Sequence, residues 1–139
     1  MEVTLRDGTI MSIEPYVHSD FTDIQKLNEV EGWHTLSRNC RKTRIAWENS
    51  TIAFIVRAQH NEIVGFIRGH TDTAVSLFIC ELLIDKRYRG LGIGTTLLQY
   101  VHDMYPDTRV ELLATSGSQT YYENLGYRPF YGFRKTYQE

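Results

Sequence analysis

The chain has 139 residues, of which 42% are hydrophobic and 23% charged, and its formal net charge is -2. These values fit a single globular domain over residues 1–139 and argue against nucleic acid or an anionic membrane as a partner. No apolar run approaches the roughly 20 residues of a membrane span. The 2 cysteines cannot form a disulfide framework, so we expect a reducing, cytoplasmic setting.

The first part of the chain contains signals for a hairpin and two helices. An Arg-Asp-Gly stretch at residues 6–8 separates two short strand patterns, which predicts an antiparallel hairpin. Ser19 or Asp20 can cap a helix that Gly32 ends. A second helix is expected over about residues 36–48.

The middle of the chain changes to strand patterns. Residues 51–59 and 62–70 are predicted to be antiparallel strands joined by a turn at His60 and Asn61. The segment Ala74–Asp85 is long and almost wholly apolar. We therefore predict a central strand that is buried on both faces.

The last part alternates between helix and strand patterns. A glycine-rich turn precedes an amphipathic helix that Pro106 ends, and a strand follows over residues 109–115. A short helix is expected from Ser116, with a capping box, to a C-terminal glycine at Gly126. Residues 127–137 then form one or two strands. This order predicts a mixed α/β sheet.

The turn between Arg87 and Thr95 has the composition of an anion site. Its glycines allow a ligand to approach the backbone, and the first N–H groups of the following helix lack intrahelical partners. Arg87 and Arg89 add mobile positive charge, so a phosphate or pyrophosphate is the expected ligand. A P-loop is disfavoured because its lysine and hydroxyl are missing, and a dinucleotide fingerprint because its third glycine is missing.

The pattern R-x-x-G-x-G, formed by Arg89, Gly92 and Gly94, resembles the pyrophosphate-binding motif of the GNAT superfamily of acetyl-CoA-dependent N-acetyltransferases. The segment Tyr121–Tyr127, YYENLGY, is similar to that family's F-Y-x-x-x-G-[FY] segment. The resemblance covers nearly the whole chain in the right order. It implies a GNAT-like fold, with a central mixed sheet of about six or seven strands and about four helices.

The resemblance also implies a binding site for acetyl-CoA. Main-chain groups of one strand would hold the pantetheine arm, and the Leu82 N–H would polarise the thioester carbonyl. The glycine turn would hold the diphosphate. Many relatives carry an asparagine early in the last helix that contacts the cofactor. In this chain residues 115–118 are Thr-Ser-Gly-Ser, so a hydroxyl would have to replace that amide. The implied cofactor-binding residues are Leu82, Leu83, Ile84, Arg89, Gly90, Leu91, Gly92, Ile93, Gly94 and Thr95.

Two residues are candidates for acid–base chemistry. Tyr122 lies four residues before the glycine of the similar segment, and a phenol with a pKa of about 10 can donate a proton at neutral pH. The alternative is that Tyr122 is only a packed aromatic ring, and the adjacent Tyr121 could equally have that structural role. Glu81 is the only carboxylate in an apolar strand and is the candidate base. It could instead pair with an arginine or face water; His70 and solvent water are the other candidate bases.

Other reactive side chains have structural interpretations. No histidine and aspartate partners can be placed beside Cys80, and a free cysteine in a strand is usually a core residue. The 5 histidines show no metal-ligand spacing, so no metal is predicted. Trp33 and His34 lie between the two early helices, where they could contact an acceptor or pack the helix pair.

The resulting hypothesis is an N-acetyltransferase that moves an acetyl group from acetyl-CoA to a primary amine by direct attack in a ternary complex. The alternative is a non-catalytic acyl-CoA-binding sensor or partner module on the same fold. A third interpretation, another kind of nucleotide binder, predicts stabilisation by ATP or NAD. The sequence does not identify the amine, which could be a small molecule or a peptide, and the final strand could pair across a homodimer.

Overall fold

A computed structural model describes all 139 residues, Met1–Glu139, and shows a six-stranded mixed sheet with five helices. The strands lie side by side in chain order, and only the last pair is parallel. None of the helices is long and apolar enough to cross a lipid bilayer. The strands are β1 (Glu2–Thr4), β2 (Ile10–Pro15), β3 (Ile52–Ala58), β4 (Ile63–Thr71), β5 (Ser76–Ile84) and β6 (Arg109–Leu112). The helices are α1 (Phe21–Glu31), α2 (His34–Arg38), α3 (Cys40–Glu48), α4 (Ile93–Met104) and α5 (Gln119–Asn124).

The predicted hairpin and first helix are confirmed. Gly8 adopts a φ of 88° in the β1–β2 turn, and α1 ends at Gly32, which has a φ of 85°. Asp20 precedes α1, but its carboxylate accepts no hydrogen bond from that helix. The predicted second helix is two helices, because the Asn39 backbone leaves the helical region and its side chain donates to the Thr35 carbonyl.

The core lies on both faces of the sheet. On one face, Leu97 and Val101 of α4 belong to a cluster of 15 buried residues that also includes Leu5 and residues of β2 to β5. On the other face, Phe21 and Ile24 of α1 and Trp47 of α3 join a cluster of 8 buried residues. The two helical layers therefore cover the middle of the sheet from opposite sides.

The predicted burial of β5 on both faces is only partly correct: Leu83 packs with one cluster and Leu82 against the other, but the first part of the strand is covered on one face. The strand is internal, between β4 and β6, but its side chains alternate in burial. Leu77 and Ile79 are buried, whereas the intervening Phe78 is 38% exposed. Phe78 belongs to neither core cluster, so an apolar run here does not mean that both sides of the strand are covered.

A β-bulge divides β5. Arg68 of β4 pairs with Glu81, whereas the next residue, Gly69, pairs with Ile79, so that Cys80 is the extra residue. The parallel partner β6 pairs with β5 only before the bulge. The second part of β5 is therefore bonded to β4 on one side and has an open edge on the other.

The last helix is shorter than predicted. It begins at Gln119 and not at Ser116, because the Ser118 hydroxyl and the Thr115 main chain bond to each other in a turn that precedes it. The predicted capping box is therefore absent. Gly126 follows the helix with a φ of 91°, as expected of a glycine at this position.

The predicted strands over residues 127–137 are absent. This segment forms no strand, and β6 is only 4 residues long. Aromatic strand propensity depends on a partner strand and a covering face, and neither is present for this segment. Four of its five large aromatic side chains are largely exposed, and only Tyr127 is partly buried. The exposed four are Phe130, Tyr131, Phe133 and Tyr137.

Candidate active site

The glycine turn has the backbone geometry of an anion-binding helix start. Gly90 and Gly92 have φ values of 81° and 90°, which disfavour any residue with a side chain. Gly92 is the N-cap of α4, and the first bond of the helix runs from the Thr96 N–H to its carbonyl. The N–H groups of residues 93–95 thus have no helical acceptor, and the helix dipole favours an anion there.

The two arginines of the turn are paired, which corrects the expectation of mobile positive charge. Arg87 contacts Asp85 at 2.8 Å through Nη2. Arg89 donates from Nε to the Ile84 carbonyl at 2.9 Å and from Nη2 to Glu31 at 2.5 Å. Both guanidinium groups are therefore neutralised by carboxylates, and Arg89 acts within the chain as a link between the turn and the end of β5.

The open edge of β5 presents main-chain groups from alternate residues. The Asp85 N–H donates to the Val64 carbonyl, which fixes the alternation of the antiparallel pair. In that register Leu83 bonds to β4, and the N–H and C=O groups of Leu82 and Ile84 point away from it. Of the three residues predicted to hold a pantetheine arm, Leu82 and Ile84 thus face the open edge, although the Ile84 carbonyl already accepts the Arg89 Nε–H.

The turn, the open edge and the last helix meet around Gly94. A Cβ at Gly94 would lie 2.8 Å from the Tyr121 hydroxyl and 3.8 Å from Cδ2 of Leu82. The same Tyr121 hydroxyl is 3.2 Å from Oγ1 of Thr95. The residues predicted for a cofactor site therefore come together in space, with Tyr121 above the first turn of α4.

Tyr122 is the more enclosed of the two adjacent tyrosines. Its ring centroid lies 5.1 Å from that of Tyr121 and 5.7 Å from that of Tyr127, and the ring packs against the larger core cluster. Burial raises the pKa of Tyr122 to about 12. The phenol thus keeps its proton at neutral pH, as a proton donor must.

Glu81 is buried and paired with an arginine. The carboxylate is 8% exposed, and its Oε2 accepts a hydrogen bond from Nε of Arg68. Nη1 of Arg68 also donates to the Ser50 hydroxyl at 3.2 Å. Oε1 of Glu81 is buried without a partner. The geometry therefore matches the arginine-paired alternative, and it leaves one carboxylate oxygen available.

The two candidate catalytic residues lie on opposite faces of the sheet. After the bulge, Glu81 shares the side of Leu83, which packs with the α1–α3 cluster. Tyr122 packs with the cluster on the α4 side. The structure does not bring carboxylate and phenol into contact, and the open edge of β5 lies between their two faces.

A family model described as an acetyltransferase (GNAT) domain matches residues 19–136. The chain belongs to the GNAT family. This confirms the sequence-based predictions of the family, of the α/β fold and of an acyltransferase, because acetyl transfer from acetyl-CoA is the general reaction of that family.

Related sequences agree with this assignment. The chain is 27% identical to an uncharacterized N-acetyltransferase, ycf52, of Gracilaria tenuistipitata var. liui, over 86% of this chain and 69% of that protein. It is 30% identical to the histone acetyltransferase TAP1 of Glycine max, over 91% of this chain and 61% of that protein. The GNAT chain thus spans between 61% and 69% of the length of these two relatives.

Solved structures share the fold. A GNAT-family acetyltransferase of Streptococcus pneumoniae TIGR4 superposes with a TM-score of 0.75 at 20% identity, covering 93% of this chain and 98% of that one. A probable acetyltransferase of Staphylococcus aureus also gives a TM-score of 0.75, at 15% identity. The architecture is therefore that of GNAT proteins, although the sequences have diverged.

Other candidate residues of the GNAT domain have structural surroundings. Burial raises the pKa of Cys80, so its thiol stays protonated and is a poor nucleophile. His70 is exposed near the end of β4. Trp33 packs against the α1–α3 cluster, and His34 contacts Glu29 at 3.3 Å. No group of three or more His, Cys, Asp and Glu side chains comes together as a metal site.

Sequence reasoning missed Arg68, although a signal was present. Arg68 is the one charged residue within an otherwise apolar stretch of β4, and Glu81 is its counterpart in β5. Two opposite charges in neighbouring buried strands indicate a cross-strand pair. The strand register, which the bulge shifts by one residue, was needed to place them opposite each other.

Proposed function

We propose that this GNAT domain transfers the acetyl group of acetyl-CoA to a primary amine, with both substrates bound together. One observation carries the proposal: the left-handed Gly92 begins a helix whose Gly94 lies beside Leu82, and the Leu82 main chain faces an open strand edge. Unpaired helical N–H groups and an adjacent strand edge are what a diphosphate and an extended amide-containing arm require.

The residues at the turn fit acetyl-CoA. Gly92 and Gly94 have no side chains that would block the N–H groups of residues 93–95, and these groups would bind the diphosphate. When bound, acetyl-CoA supplies an activated acetyl thioester. In this proposal the Leu82 N–H donates to the acyl carbonyl oxygen and stabilises the negative charge that develops there.

Proton transfer is assigned to two side chains. The Tyr122 hydroxyl holds a proton that it can give to a leaving thiolate, and it makes no hydrogen bond within the chain that would compete. Oε1 of Glu81 is the group that would take a proton from the incoming amine. Because it lies on the other face of the sheet, this transfer would pass through water at the open edge.

The first test is ligand binding measured by thermal denaturation. Acetyl-CoA and CoA at about 100 times their Kd should each stabilise the fold by about 2.7 kcal/mol, whereas ATP and NAD should have little effect. Gly92→Ala should lose this stabilisation, since an alanine is strained at a φ of 90°. Gly117→Ala, where a Cβ meets only Oγ1 of Thr115 at 4.0 Å, is the matched control. Stabilisation by ATP without acetyl-CoA would contradict the proposal.

The second test is turnover, measured as thiol release over a panel of amines. The panel should include small primary amines and a lysine-containing peptide, because one relative is named a histone acetyltransferase. Release with at least one amine supports the enzyme. The pairing of Glu81 with Arg68 favours the competing function, a non-catalytic acyl-CoA-binding module, which predicts tight cofactor binding and no release with any amine.

A further inference from the structure

A third arginine lies at the start of α4, and it comes from the opposite end of the chain. Arg6 is in the β1–β2 turn, next to Leu5, which is 7% exposed and belongs to the larger core cluster. Its Nε lies 3.6 Å, and its Nη2 3.9 Å, from the position that a Cβ on Gly92 would occupy. The hairpin thus places a guanidinium directly against the N-cap of the helix.

Arg6 differs from the other two arginines in its partners. Arg87 and Arg89 are held by carboxylates, as described above. Arg6 makes no hydrogen bond or ion pair within the chain. The neighbouring Asp7 does not neutralise it, because that carboxylate accepts the Thr9 N–H at 2.9 Å within the turn. Arg6 is therefore the unpaired cation next to the unsatisfied N–H groups of α4.

We propose that Arg6 binds a phosphate group of CoA, a role that rests on the function proposed above. A guanidinium offers several N–H donors in one plane and suits a phosphate oxygen pair. The phosphate is either the diphosphate at the helix start or the 3′-phosphate of the nucleotide, which present the same chemistry. A groove of about 570 Å³, lined in part by Met1, Thr95 and Gln99, runs along α4 and offers room for the nucleotide.

The test compares two arginine variants by titration calorimetry with CoA and with 3′-dephospho-CoA. Arg6→Gln should weaken CoA binding roughly tenfold or more, the effect of losing hydrogen bonds to a charged group. Arg41→Gln removes an exposed arginine of α3 that also lacks a carboxylate partner, and it should bind CoA like the wild type. The two variants have the same net charge, so their difference isolates the position of the charge.

The second ligand identifies the phosphate. If Arg6 contacts the 3′-phosphate, Arg6→Gln should bind 3′-dephospho-CoA as well as the wild type does. If it contacts the diphosphate, both ligands should weaken equally. Unchanged affinity for both ligands, or a loss equal to that of Arg41→Gln, would overturn the role of Arg6 alone. A wild-type protein that binds neither ligand would overturn the proposed function, and the role of Arg6 with it.

Discussion

The two parts of β5 have similar apolar sequences but different surroundings. Ser76–Ile79 pairs with β4 on one side and β6 on the other, so its main-chain groups are used within the sheet. The part from Cys80 to Ile84 pairs with β4 alone. Apolar composition predicts a buried strand in both cases. What separates a structural segment from a candidate binding edge is the pairing of the backbone.

The boundary between the two parts is built from few residues. Cys80 is the extra residue of the bulge, and Gly69 on β4 allows the close approach that the bulge requires. The Arg68–Glu81 pair lies immediately after it. A bulge that re-aims side chains beside an open edge is a common arrangement at functional sites. Changes at this boundary should therefore affect both stability and cofactor binding.

The largest expected effect is on the buried ion pair. Arg68→Met leaves the Glu81 carboxylate buried without its charge partner, which should lower the free energy of unfolding by about 3–5 kcal/mol. Urea denaturation at neutral pH measures the loss. The double variant Arg68→Met/Glu81→Leu removes both charges and should recover most of the stability. If Arg68→Met were as stable as the wild type, the ion pair would not contribute to the stability of the boundary between the two parts of β5.

Gly69→Ala should have the next largest effect. An added Cβ would lie 2.3 Å from the Phe78 carbonyl oxygen, a backbone atom that cannot move without opening the bulge. We expect a loss of about 1–3 kcal/mol in unfolding free energy, together with weaker acetyl-CoA binding. Gly117→Ala is the control, since its Cβ meets no close neighbour. Normal stability and normal acetyl-CoA binding in Gly69→Ala would show that neither the fold nor the open edge depends on the bulge.

Local signals in the sequence predicted much of the fold. The Asp-Gly turn at residues 6–8, the end of α1 at Gly32 and the glycine turn before α4 all depend on the conformation of a few neighbouring residues. Such preferences can be recognised without knowledge of distant contacts. The family resemblance extended them to the whole domain, and the match over residues 19–136 confirms it.

Features that depend on distant partners could not be predicted. The exposure of Phe78, the missing strands over residues 127–137 and the pairing of Arg89 with Glu31 are set by what lies across the sheet or in another element. The same holds for Arg6, which is far from the glycine turn in sequence. Secondary-structure propensity and motif spacing describe one segment of the chain at a time, so they do not predict which distant segments come into contact.

The next prediction concerns the open part of β5 and its neighbouring tyrosines. Tyr122→Phe should lower turnover at least tenfold, about 1.4 kcal/mol, with unchanged acetyl-CoA affinity. Because the pKa of Tyr122 is raised to about 12, its loss of the proton should reduce the rate only at strongly alkaline pH. Tyr121→Phe, which removes the hydroxyl near Thr95, is the matched variant. A loss of turnover in Tyr121→Phe alone would move the acid role to that residue.

The smallest effect is expected at the start of the paired part of β5. Oδ1 of Asp72 accepts the N–H groups of residues 74–76 at 2.7–3.0 Å, and these bonds lower its pKa to about 2. A lowered pKa stabilises the fold above the ordinary value of 3.8, and this contribution is lost as the pH falls toward 2. Asp72→Asn should therefore show a shallower fall in stability over that range, measured by urea denaturation at several pH values.

The control is Asp107→Asn, which removes an exposed carboxylate that accepts no hydrogen bond and should keep the wild-type dependence of stability on pH. Because Asp72 is exposed and its carboxylate bonds only within the turn between β4 and β5, its loss should leave acetyl-CoA binding unchanged. If binding weakened as well, the two parts of β5 would be coupled, and the division at Cys80 would not separate structure from function.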